Sequence, residues 1–429
     1  MHALKELKEI IRRNKSGIPV GICSVCSANE FVIRAAVREA RRFHSPLLIE
    51  ATANQVNQFG GYTGMTPAAF RDYVYAIAGK EGVAPDQILL GGDHLGPLVW
   101  KDESAEGAMS KAEKLAADYA EAGFAKIHLD TSMKLGGDPE GPLGLKLIAQ
   151  RGARLCAAAE KAVPAGRAKA QRPVYVIGSE VPIPGGARTE EGMRVTDADD
   201  MAETVTQYRQ VFREAGLSKA WENVIAVVVQ PGVEFCSNSV HDYRPDECER
   251  LSKGLADFPQ LVFEGHSTDY QKEQALKQMV RGQIAVLKVG PALTFALREG
   301  LLNLEQMERE LCGGAGLSRF AETLESAMLR QPANWTGHYK GSESEKRLAR
   351  RYSYSDRCRY YYADPAVEQS VCRLLQNLSE TELPMPMISQ FFPTLYWKIR
   401  EGIVGTSPEE LLLGRIADTL GGYYWAVTV

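Results

Sequence analysis

Eight short apolar runs recur along the chain, and each of them ends in a cluster of polar residues. Helix-like stretches separate the runs, so a strand followed by a helix is repeated eight times. Eight such units are the number that closes a parallel barrel. The sequence therefore predicts an α/β protein with a (β/α)8 TIM barrel. The runs read IPVGICSVCS, PLLIEATANQ, QILLGGDHLG, AKIHLDTS, PVYVIGSEVP, NVIAVVVQPG, QLVFEGHSTD and QIAVLKVGPA.

Residues at the carboxyl ends of these runs are the first candidates for function, because active sites of such barrels lie at that face. Sequence reasoning therefore concentrates on the polar side chains where each strand stops. These residues are Glu50, Asp93, His94, Asp130, Glu180, Gln230, His266 and Lys288.

The chain is longer than one barrel requires. It has 429 residues, whereas a barrel of this type needs roughly 250. A GGAG segment follows the last predicted barrel helix, and helix-forming, aromatic-rich sequence continues from there. We place the barrel with its N-terminal amphipathic helix at 1–312, and a helical C-terminal extension packed on it at 313–429.

Composition excludes several classes of protein. The net charge is −4, which offers no electrostatic footprint for nucleic acid or an anionic membrane. No apolar run approaches the length of a membrane span, and the N-terminus lacks a signal-peptide core. We expect a cytoplasmic protein with no nucleic-acid or membrane partner. The 8 cysteines are too dilute for a disulfide framework.

Cys23 and Cys26 form a CxxC pair at the end of the first run. A redox pair or a zinc knuckle is one interpretation, but a second CxxC is absent. The favoured interpretation is that both cysteines line the mouth of the first strand.

Two histidines and one carboxylate at strand ends suggest a divalent metal site. His94 and His266 end the third and seventh runs, and Glu180 ends the fifth. Three protein ligands with an open position are typical of a catalytic metal, with zinc as the expected ion. The alternative is that each histidine only hydrogen-bonds a loop carbonyl.

Three further side chains have less certain roles in this set. His128 and Asp130 alternate in KIHLDTS, so we expect only one of them to point into the barrel. Asp130 is preferred at the mouth, as a catalytic residue, and His128 is kept as a reserve ligand. Asp93 is a candidate for moving a proton on a sugar hydroxyl, or else it orients a histidine or caps a helix.

Glycine-bearing loops at the strand ends suit a phosphate group. One is the loop at 58–66, after the second run, and the others lie at the ends of the seventh and eighth runs. No phosphate loop of the GxxxxGK type and no GxGxxG after a strand is present, so nucleotide binding is not expected. The candidate phosphate or substrate residues are Asn54, Gln58, Gly265, Ser267, Lys288 and Gly290.

The extension contains an Arg/Tyr-rich stretch, RRYSYSDRCRYYY, at 350–362. Arg357 and Arg359 could clamp a phosphate, or the tyrosines could anchor a partner. The favoured interpretation is an amphipathic helix whose aromatic side chains pack on the barrel and whose arginines are solvated.

Long motifs across nearly the whole chain resemble one family. They are GICSVCSANEFV, IEATANQVNQFGGYTGMTP, ILLGGDHLGP, GFAKIHLDTSM, YVIGSEVPIPGG, VIAVVVQPGVEF, EGHSTDYQ, LKVGPALTFALRE and RYSYSDRCRYYY. Together they resemble the non-catalytic Z-type subunits of D-tagatose-1,6-bisphosphate aldolase, the GatZ/KbaZ family. Some members are labelled tagatose 6-phosphate kinases, a label that the missing phosphate loop argues against.

The resemblance implies a barrel related to class II, metal-dependent aldolases. Asp93-His94 is similar to their proton-shuttling carboxylate and metal-binding imidazole, and His266 to a later metal ligand in a Gly-rich phosphate turn. Their middle histidine falls opposite Glu180, which would replace it as a ligand and proton-transfer group. The site would then be altered, vestigial or devoted to another reaction.

The resemblance also implies a supporting role in galactitol or N-acetylgalactosamine breakdown. A Z-type subunit stabilises and activates a catalytic Y-type aldolase subunit, so a homo- or hetero-oligomer is expected. The alternative is a stand-alone metal-dependent sugar-phosphate 4-epimerase or aldolase, acting on tagatose 6-phosphate or tagatose 1,6-bisphosphate. A purely structural subunit would not need so many polar residues at one end of the barrel, and this observation supports the enzymatic alternative.

Overall fold

Eight parallel strands close into a barrel in the computed structural model, which describes residues 2–165, 171–179, 194–314 and 316–428. The strands are almost entirely buried on both faces, which explains why their sequences show no alternation. They are β1 (Ile22–Cys26), β2 (Leu47–Thr52), β3 (Ile88–Leu95), β4 (Lys126–Leu129), β5 (Val174–Ile177), β6 (Val224–Val229), β9 (Val262–Gly265) and β10 (Ile284–Val289). Their order around the barrel is β1-β10-β9-β6-β5-β4-β3-β2, so the predicted (β/α)8 fold is confirmed.

Helices that follow the strands form the outer layer. Asn29 caps the first of them by accepting hydrogen bonds from the backbone N–H groups of Phe31 and Val32. The ring contains α2 (Glu30–Arg42), α3 (Pro67–Lys80), α4 (Ala105–Glu121), α5 (Leu145–Ala162), α6 (Ala198–Glu214), α7 (Ser218–Trp221), α8 (Glu249–Gly254), α9 (Glu273–Arg281) and α10 (Pro291–Leu311). A short antiparallel hairpin, β7 (Glu234–Phe235) and β8 (Val240–His241), follows β6.

The N-terminal helix α1 (His2–Lys15) covers the end of the barrel opposite the mouth. Its buried residues Ala3, Leu4 and Leu7 pack with apolar side chains from the barrel interior, including Leu48 and Val286. Burial of this stripe explains the amphipathic pattern of the helix. The carboxyl ends of the strands form the opposite face, which we call the mouth.

The C-terminal extension is helical and packs on the barrel wall. Its last helix contacts α2, α9, α10 and β1. The backbone N–H of Gly21 donates to the carbonyl of Val427 at 2.9 Å, which joins that helix to the residue before β1. None of the described helices has both the length and the apolar composition of a membrane-crossing segment. The extension contains α11 (Phe320–Arg330), α12 (Glu343–Tyr352), α13 (Pro365–Ser379), α14 (Met385–Phe391), α15 (Pro393–Arg400) and α16 (Pro408–Val427).

A buried ion pair connects the extension to the barrel. Asp356 Oδ1 accepts a hydrogen bond from Arg298 Nε of α10 at 2.7 Å, and Asp356 Oδ2 accepts one from Thr294 Oγ1 at 2.6 Å. Asp356 has a left-handed backbone conformation with φ of 43°, which aspartate and asparagine tolerate better than most residues. Arg298 is 2% exposed, so its charge depends on this carboxylate for compensation.

A second buried carboxylate joins the loop after β9 to the start of α10. Asp269 Oδ1 accepts hydrogen bonds from the backbone N–H groups of Gly290 at 3.0 Å and Ala292 at 2.8 Å. Burial raises the pKa of Asp269 to about 6, although the two backbone hydrogen bonds act in the opposite direction.

We expect Asp356→Asn to lower the free energy of unfolding by about 3 kcal/mol, because it leaves the buried Arg298 guanidinium without its counter-charge. Urea denaturation of the two proteins measures the difference. The surface pair of half-buried Lys346 with exposed Glu343 provides the control, and Glu343→Gln should change the free energy by less than about 0.5 kcal/mol. Equal effects of the two substitutions would contradict the structural role of the Asp356 pair.

The raised pKa of Asp269 predicts a pH-dependent stability. The folded protein holds this proton more tightly than the unfolded chain, so the stabilisation is complete below pH 4 and is lost as pH rises through 6. We expect the free energy of unfolding of the wild type to fall by about 2.5 kcal/mol relative to that of Asp269→Asn between pH 4 and pH 7.5. Parallel urea titrations at both pH values measure it. A wild-type-to-variant difference that does not change with pH would disprove this effect.

Candidate functional site

Polar side chains from neighbouring strands converge inside the barrel at its mouth. In several strands they occur two residues apart, and residues two apart in a strand face the same side. Most of these side chains are fully buried. They are Ser24 and Cys26 of β1, Glu50 of β2, Asp93 and His94 of β3, Lys126 and His128 of β4, Asp130 after β4, Glu264 of β9, His266 after β9 and Lys288 of β10.

Three imidazoles meet at the mouth, and we call them the imidazole cluster. The ring centroid of His94 lies 5.1 Å from that of His128 and 4.8 Å from that of His266. His128 and His266 are 5.1 Å apart. His94 has a positive φ of 47°, which turns the chain at the end of β3. The structure therefore brings together both predicted histidine ligands and the reserve ligand His128.

Carboxylates orient two of these rings. His94 Nδ1 lies 2.8 Å from Asp130 Oδ2, and His266 Nε2 lies 2.9 Å from Glu264 Oε1. A hydrogen bond at one ring nitrogen fixes the ring and leaves the other nitrogen for a metal. The backbone N–H of His94 donates to His128 Nδ1 at 3.2 Å. His128 Nε2 is buried and has no hydrogen-bond partner among the described residues.

Two buried ammonium groups bind the carboxylates below the imidazole cluster, in what we call the charge network. Lys126 Nζ lies 2.7 Å from Glu50 Oε1 and 2.7 Å from Glu264 Oε2. Lys288 Nζ lies 2.8 Å from Asp93 Oδ1 and also contacts Glu50 and, at 3.7 Å, Glu264. With Asp130 the site holds four carboxylates and two ammonium groups, a formal charge of −2 when the imidazoles are neutral.

The charges set the protonation of the site. Burial alone would raise the pKa of Asp93, but His94 and Lys288 hold it well below its usual range. At Asp130, the hydrogen bond and the charge of His94 likewise outweigh burial and lower the pKa to about 2. Burial lowers the pKa of His266 to about 3, whereas Asp93 and Asp130 raise that of His94 against burial. His266 is therefore a neutral imidazole, the form that binds metal.

These side chains fit a divalent metal. Ligand atoms of Asp93, His128, Glu264 and His266 lie within 4.8 Å of one another. Imidazole nitrogens and carboxylate oxygens are the usual protein ligands of zinc at catalytic sites. The unpartnered His128 Nε2 and the formal charge of −2 are both features that a bound cation would satisfy.

The expectation that only one of His128 and Asp130 faces the barrel was wrong. Residues two apart in a strand share a face. His128 Nδ1 accordingly lies 3.2 Å from Asp93 Oδ1, while Asp130 contacts His94. Glu180, the carboxylate predicted as the third ligand, lies outside the described residues. His128 supplies the third imidazole in the described structure.

A pocket with a volume of about 90 Å³ opens above the charge network. Four of the six predicted phosphate or substrate residues line it, namely Asn54, Ser267, Lys288 and Gly290. The ammonium of Lys288 is held by carboxylates, and the N–H of Gly290 donates to Asp269. Both contacts occupy groups that would otherwise bind a phosphate, so phosphate binding by these residues stays a prediction.

Gln58 and Gly265 do not reach this pocket, contrary to expectation. Gln58 turns outward, and its Nε2 donates to the carbonyl of Lys111 in α4 at 3.0 Å. Gly265 is packed in the barrel wall, where an added Cβ would come within 2.7 Å of Ile284 Cγ2. Close packing of the strands therefore explains why this position is a glycine.

The two cysteines of the CxxC separate. Cys26 lines the pocket, as expected, with its thiol 3.6 Å from Asp93 Oδ2. Cys23 lies in the apolar core, so the expectation that it lines the mouth was wrong. Burial raises the pKa of both thiols, which disfavours the thiolate that redox or zinc chemistry requires.

Sequence reasoning missed several contributors to the site. Lys126 and Glu264 lie two residues before His128 and His266, so strand periodicity could have identified them. The pocket is also lined by Tyr62 from the loop after β2 and by Arg359 and Tyr360 from the C-terminal extension. The favoured interpretation of solvated arginines is wrong for Arg350 and Arg357, which are buried, and for Arg359, which lines the pocket. The stretch contains the end of α12 and a short 3₁₀ helix (Arg357–Tyr361).

Comparison with known proteins gives a match over nearly the whole chain. A family model described as D-tagatose-1,6-bisphosphate aldolase subunit GatZ/KbaZ-like matches residues 7–428. The chain is 44% identical to a solved structure named as a probable tagatose 6 phosphate kinase from Sinorhizobium meliloti 1021. That match has a TM-score of 0.87 and covers 95% of this chain and 100% of the other.

Two aldolase structures are more distant. A fructose-bisphosphate aldolase from Campylobacter jejuni is 14% identical, with a TM-score of 0.47, and covers 88% of this chain and 92% of its own. The YdjI aldolase from Escherichia coli K12 is 11% identical, with a TM-score of 0.41, and covers 83% and 92%. Similarity this low carries no inference about activity. The match over residues 7–428 shows that the chain belongs to the GatZ/KbaZ-like family of D-tagatose-1,6-bisphosphate aldolase subunits.

Proposed function

We propose that this chain is a subunit of D-tagatose-1,6-bisphosphate aldolase that stabilises and activates a catalytic Y-type subunit. The supporting observation is the family match across residues 7–428. The pathway would be galactitol or N-acetylgalactosamine breakdown. The kinase activity in the name of the Sinorhizobium meliloti protein is not proposed, because the sequence contains no phosphate loop of the GxxxxGK type.

We also propose a second function, in which the mouth binds a divalent metal and acts on a ketose phosphate as an epimerase or aldolase. The observation that favours it is the imidazole cluster above the charge network. Buried ionised groups are costly to a folded protein unless they are fully compensated. A subunit that only supported a partner would gain nothing from concentrating them around three imidazoles.

His94, His128 and His266 would hold the metal. His128 and His266 belong to the group of ligand atoms within 4.8 Å of one another, together with Asp93 and Glu264, and His94 Nε2 lies 3.8 Å from Asp93 Oδ1. A divalent metal supplies a Lewis acid that polarises the carbonyl of a ketose. Asp130 orients His94 through Nδ1 and Glu264 orients His266 through Nε2. Asp130 is therefore proposed as a positioning residue, whereas the sequence alone had suggested a catalytic role for it.

Asp93 is the proposed proton carrier. Its carboxylate is kept ionised by His94 and by Lys288 at 2.8 Å, which is the form that a proton acceptor requires, while the same positive charges weaken it as a base. Lys288 also contacts Glu50, which keeps the ammonium in place beside Asp93. This arrangement lets the ammonium stabilise the carboxylate between turnovers.

We expect purified wild-type protein to contain close to one equivalent of divalent metal, and His94→Ala, His128→Ala and His266→Ala each to reduce it roughly 10-fold or more. Removing one imidazole leaves too few ligands for tight binding. Elemental analysis of chelator-free protein measures the content. His2→Ala removes an exposed histidine on α1 and should change nothing. Metal-free wild-type protein would rule out the metal site.

The two functions predict different behaviour of His94→Ala. If the chain only supports a partner, this variant should still raise the aldolase activity of a co-purified Y-type subunit as much as wild type does. If the mouth has its own chemistry, wild type alone should convert tagatose 6-phosphate or tagatose 1,6-bisphosphate, and the variant should lose at least about 100-fold in rate. Coupled assays with and without the Y-type subunit measure both. Loss of activation in His94→Ala would contradict a purely supporting role.

A further inference from the structure

Arg359 and Tyr360 place part of the C-terminal extension in the wall of the pocket at the barrel mouth. Both lie in the 3₁₀ helix Arg357–Tyr361, far along the chain from the strands that carry the imidazole cluster. Two residues of an extension that otherwise packs on the outside of the barrel therefore face the candidate site.

Several contacts hold this segment against the barrel. Asp356 is fixed to α10 by Arg298 and Thr294. The backbone N–H of Tyr354 donates to the carbonyl of Ser237 at 2.9 Å, and Tyr270 donates its hydroxyl to the carbonyl of Tyr354 at 2.6 Å. The position of Arg359 is thus determined by the barrel and not by the extension alone.

Arg359 has hydrogen-bonding capacity to spare. Its Nη1 donates to the carbonyls of Ser355 and Asp356, and its Nη2 donates to the hydroxyl of Tyr360. A guanidinium carries five N–H groups, so within the described residues the group on Nε and one on Nη2 have no acceptor. No carboxylate of the described chain forms an ion pair with it, although its charge is partly buried.

Tyr360 packs beside that guanidinium. Arg359 and Arg357 lie over its ring at 4.6 Å and 4.7 Å, and Tyr62 contacts the ring edge-on at 4.8 Å between centroids. Arg357 is directed into the extension, with its Nε donating to the carbonyl of Asn334 at 2.7 Å. Of the two arginines considered for a phosphate clamp, only Arg359 lines the pocket.

The charges of the pocket separate into two sides. The deep side holds four carboxylates and the two ammonium groups paired with them, a formal charge of −2 that a bound divalent metal would bring to zero. The outer side has Arg359, whose positive charge acts at Asp269 in the direction opposite to burial but does not outweigh it, so the pKa of that carboxyl stays raised. With a divalent metal bound, the deep side has no net formal charge, so an anionic group entering the pocket is drawn to Arg359 on the outer side.

We propose that Arg359, assisted by the Tyr360 hydroxyl, binds the phosphate group of the substrate, so that the sugar carbonyl points toward the imidazole cluster. Arginine suits this role because its planar donors match two phosphate oxygens at once. The inference rests on the proposed sugar-phosphate function of the mouth. It assigns the extension a direct part in substrate binding.

Isothermal titration of the full-length, zinc-loaded protein tests the proposal, with tagatose 6-phosphate and unphosphorylated tagatose as probes. We expect Arg359→Met to weaken tagatose 6-phosphate binding roughly 10- to 100-fold, the effect of losing charge-assisted hydrogen bonds. Its affinity for tagatose should not change. Arg359→Lys should recover part of the lost affinity, and Tyr360→Phe should lose about 3-fold.

Arg347→Met is the matched control, because Arg347 is an exposed arginine of α12 outside this pocket. It should bind both probes as wild type does. Metal content and urea midpoint of every variant are measured alongside, which separates a folding defect from a binding defect. Equal loss of affinity for tagatose and its phosphate in Arg359→Met would assign the arginine a structural role and overturn the proposal.

The two remaining outcomes distinguish this inference from the proposed function. If wild type binds tagatose 6-phosphate and Arg359→Met binds it equally well, the phosphate lies elsewhere and only the inference fails. If metal-loaded wild type binds neither tagatose 6-phosphate nor tagatose 1,6-bisphosphate, the sugar-phosphate function itself fails, and this inference fails with it.

Discussion

Compensation of buried charge inside the barrel is the constraint on which the rest of the site depends. Lys126 is fully buried and lies 2.7 Å from both Glu50 and Glu264. Removing one partner from such a pair typically costs about 3–5 kcal/mol, because it leaves the other charge uncompensated. Glu264 in turn positions His266, and Lys288 positions Asp93. The positions of His266 and Asp93 at the mouth therefore depend on the ion pairs of Lys126 and Lys288 with the buried carboxylates.

The barrel and the location of its site were predictable from local sequence. Parallel strands buried on both faces leave continuous apolar runs, and barrel chemistry lies where those runs stop. His94 and His266 were identified for that reason, and they do lie side by side. The error at His128 and Asp130 came from applying alternation to residues two apart, which share a face. The same rule, applied correctly, also identifies Lys126 and Glu264.

Other parts of the site depend on contacts that no local pattern contains. Arg359 reaches the mouth because Asp356 pairs with Arg298, 58 residues earlier in the chain. An arginine among tyrosines looks the same in sequence whether it is solvated or lines a pocket. Gln58 shows the converse: a polar residue in a glycine-bearing loop after a strand can turn outward to a neighbouring helix. Only the folded chain separates these cases.

The packing of α16 on β1 also has a consequence for the order in which the chain folds. The contact joins β1 (Ile22–Cys26) to α16 (Pro408–Val427), so it spans most of the described sequence. During synthesis, domains generally fold from the N-terminal side as the chain emerges. Here the apolar surfaces of β1 and its neighbours that α16 covers stay open to water until residues 408–427 have left the ribosome. The barrel wall is therefore complete only after α16 has been synthesised, and a nascent chain that lacks α16 carries an exposed apolar strip.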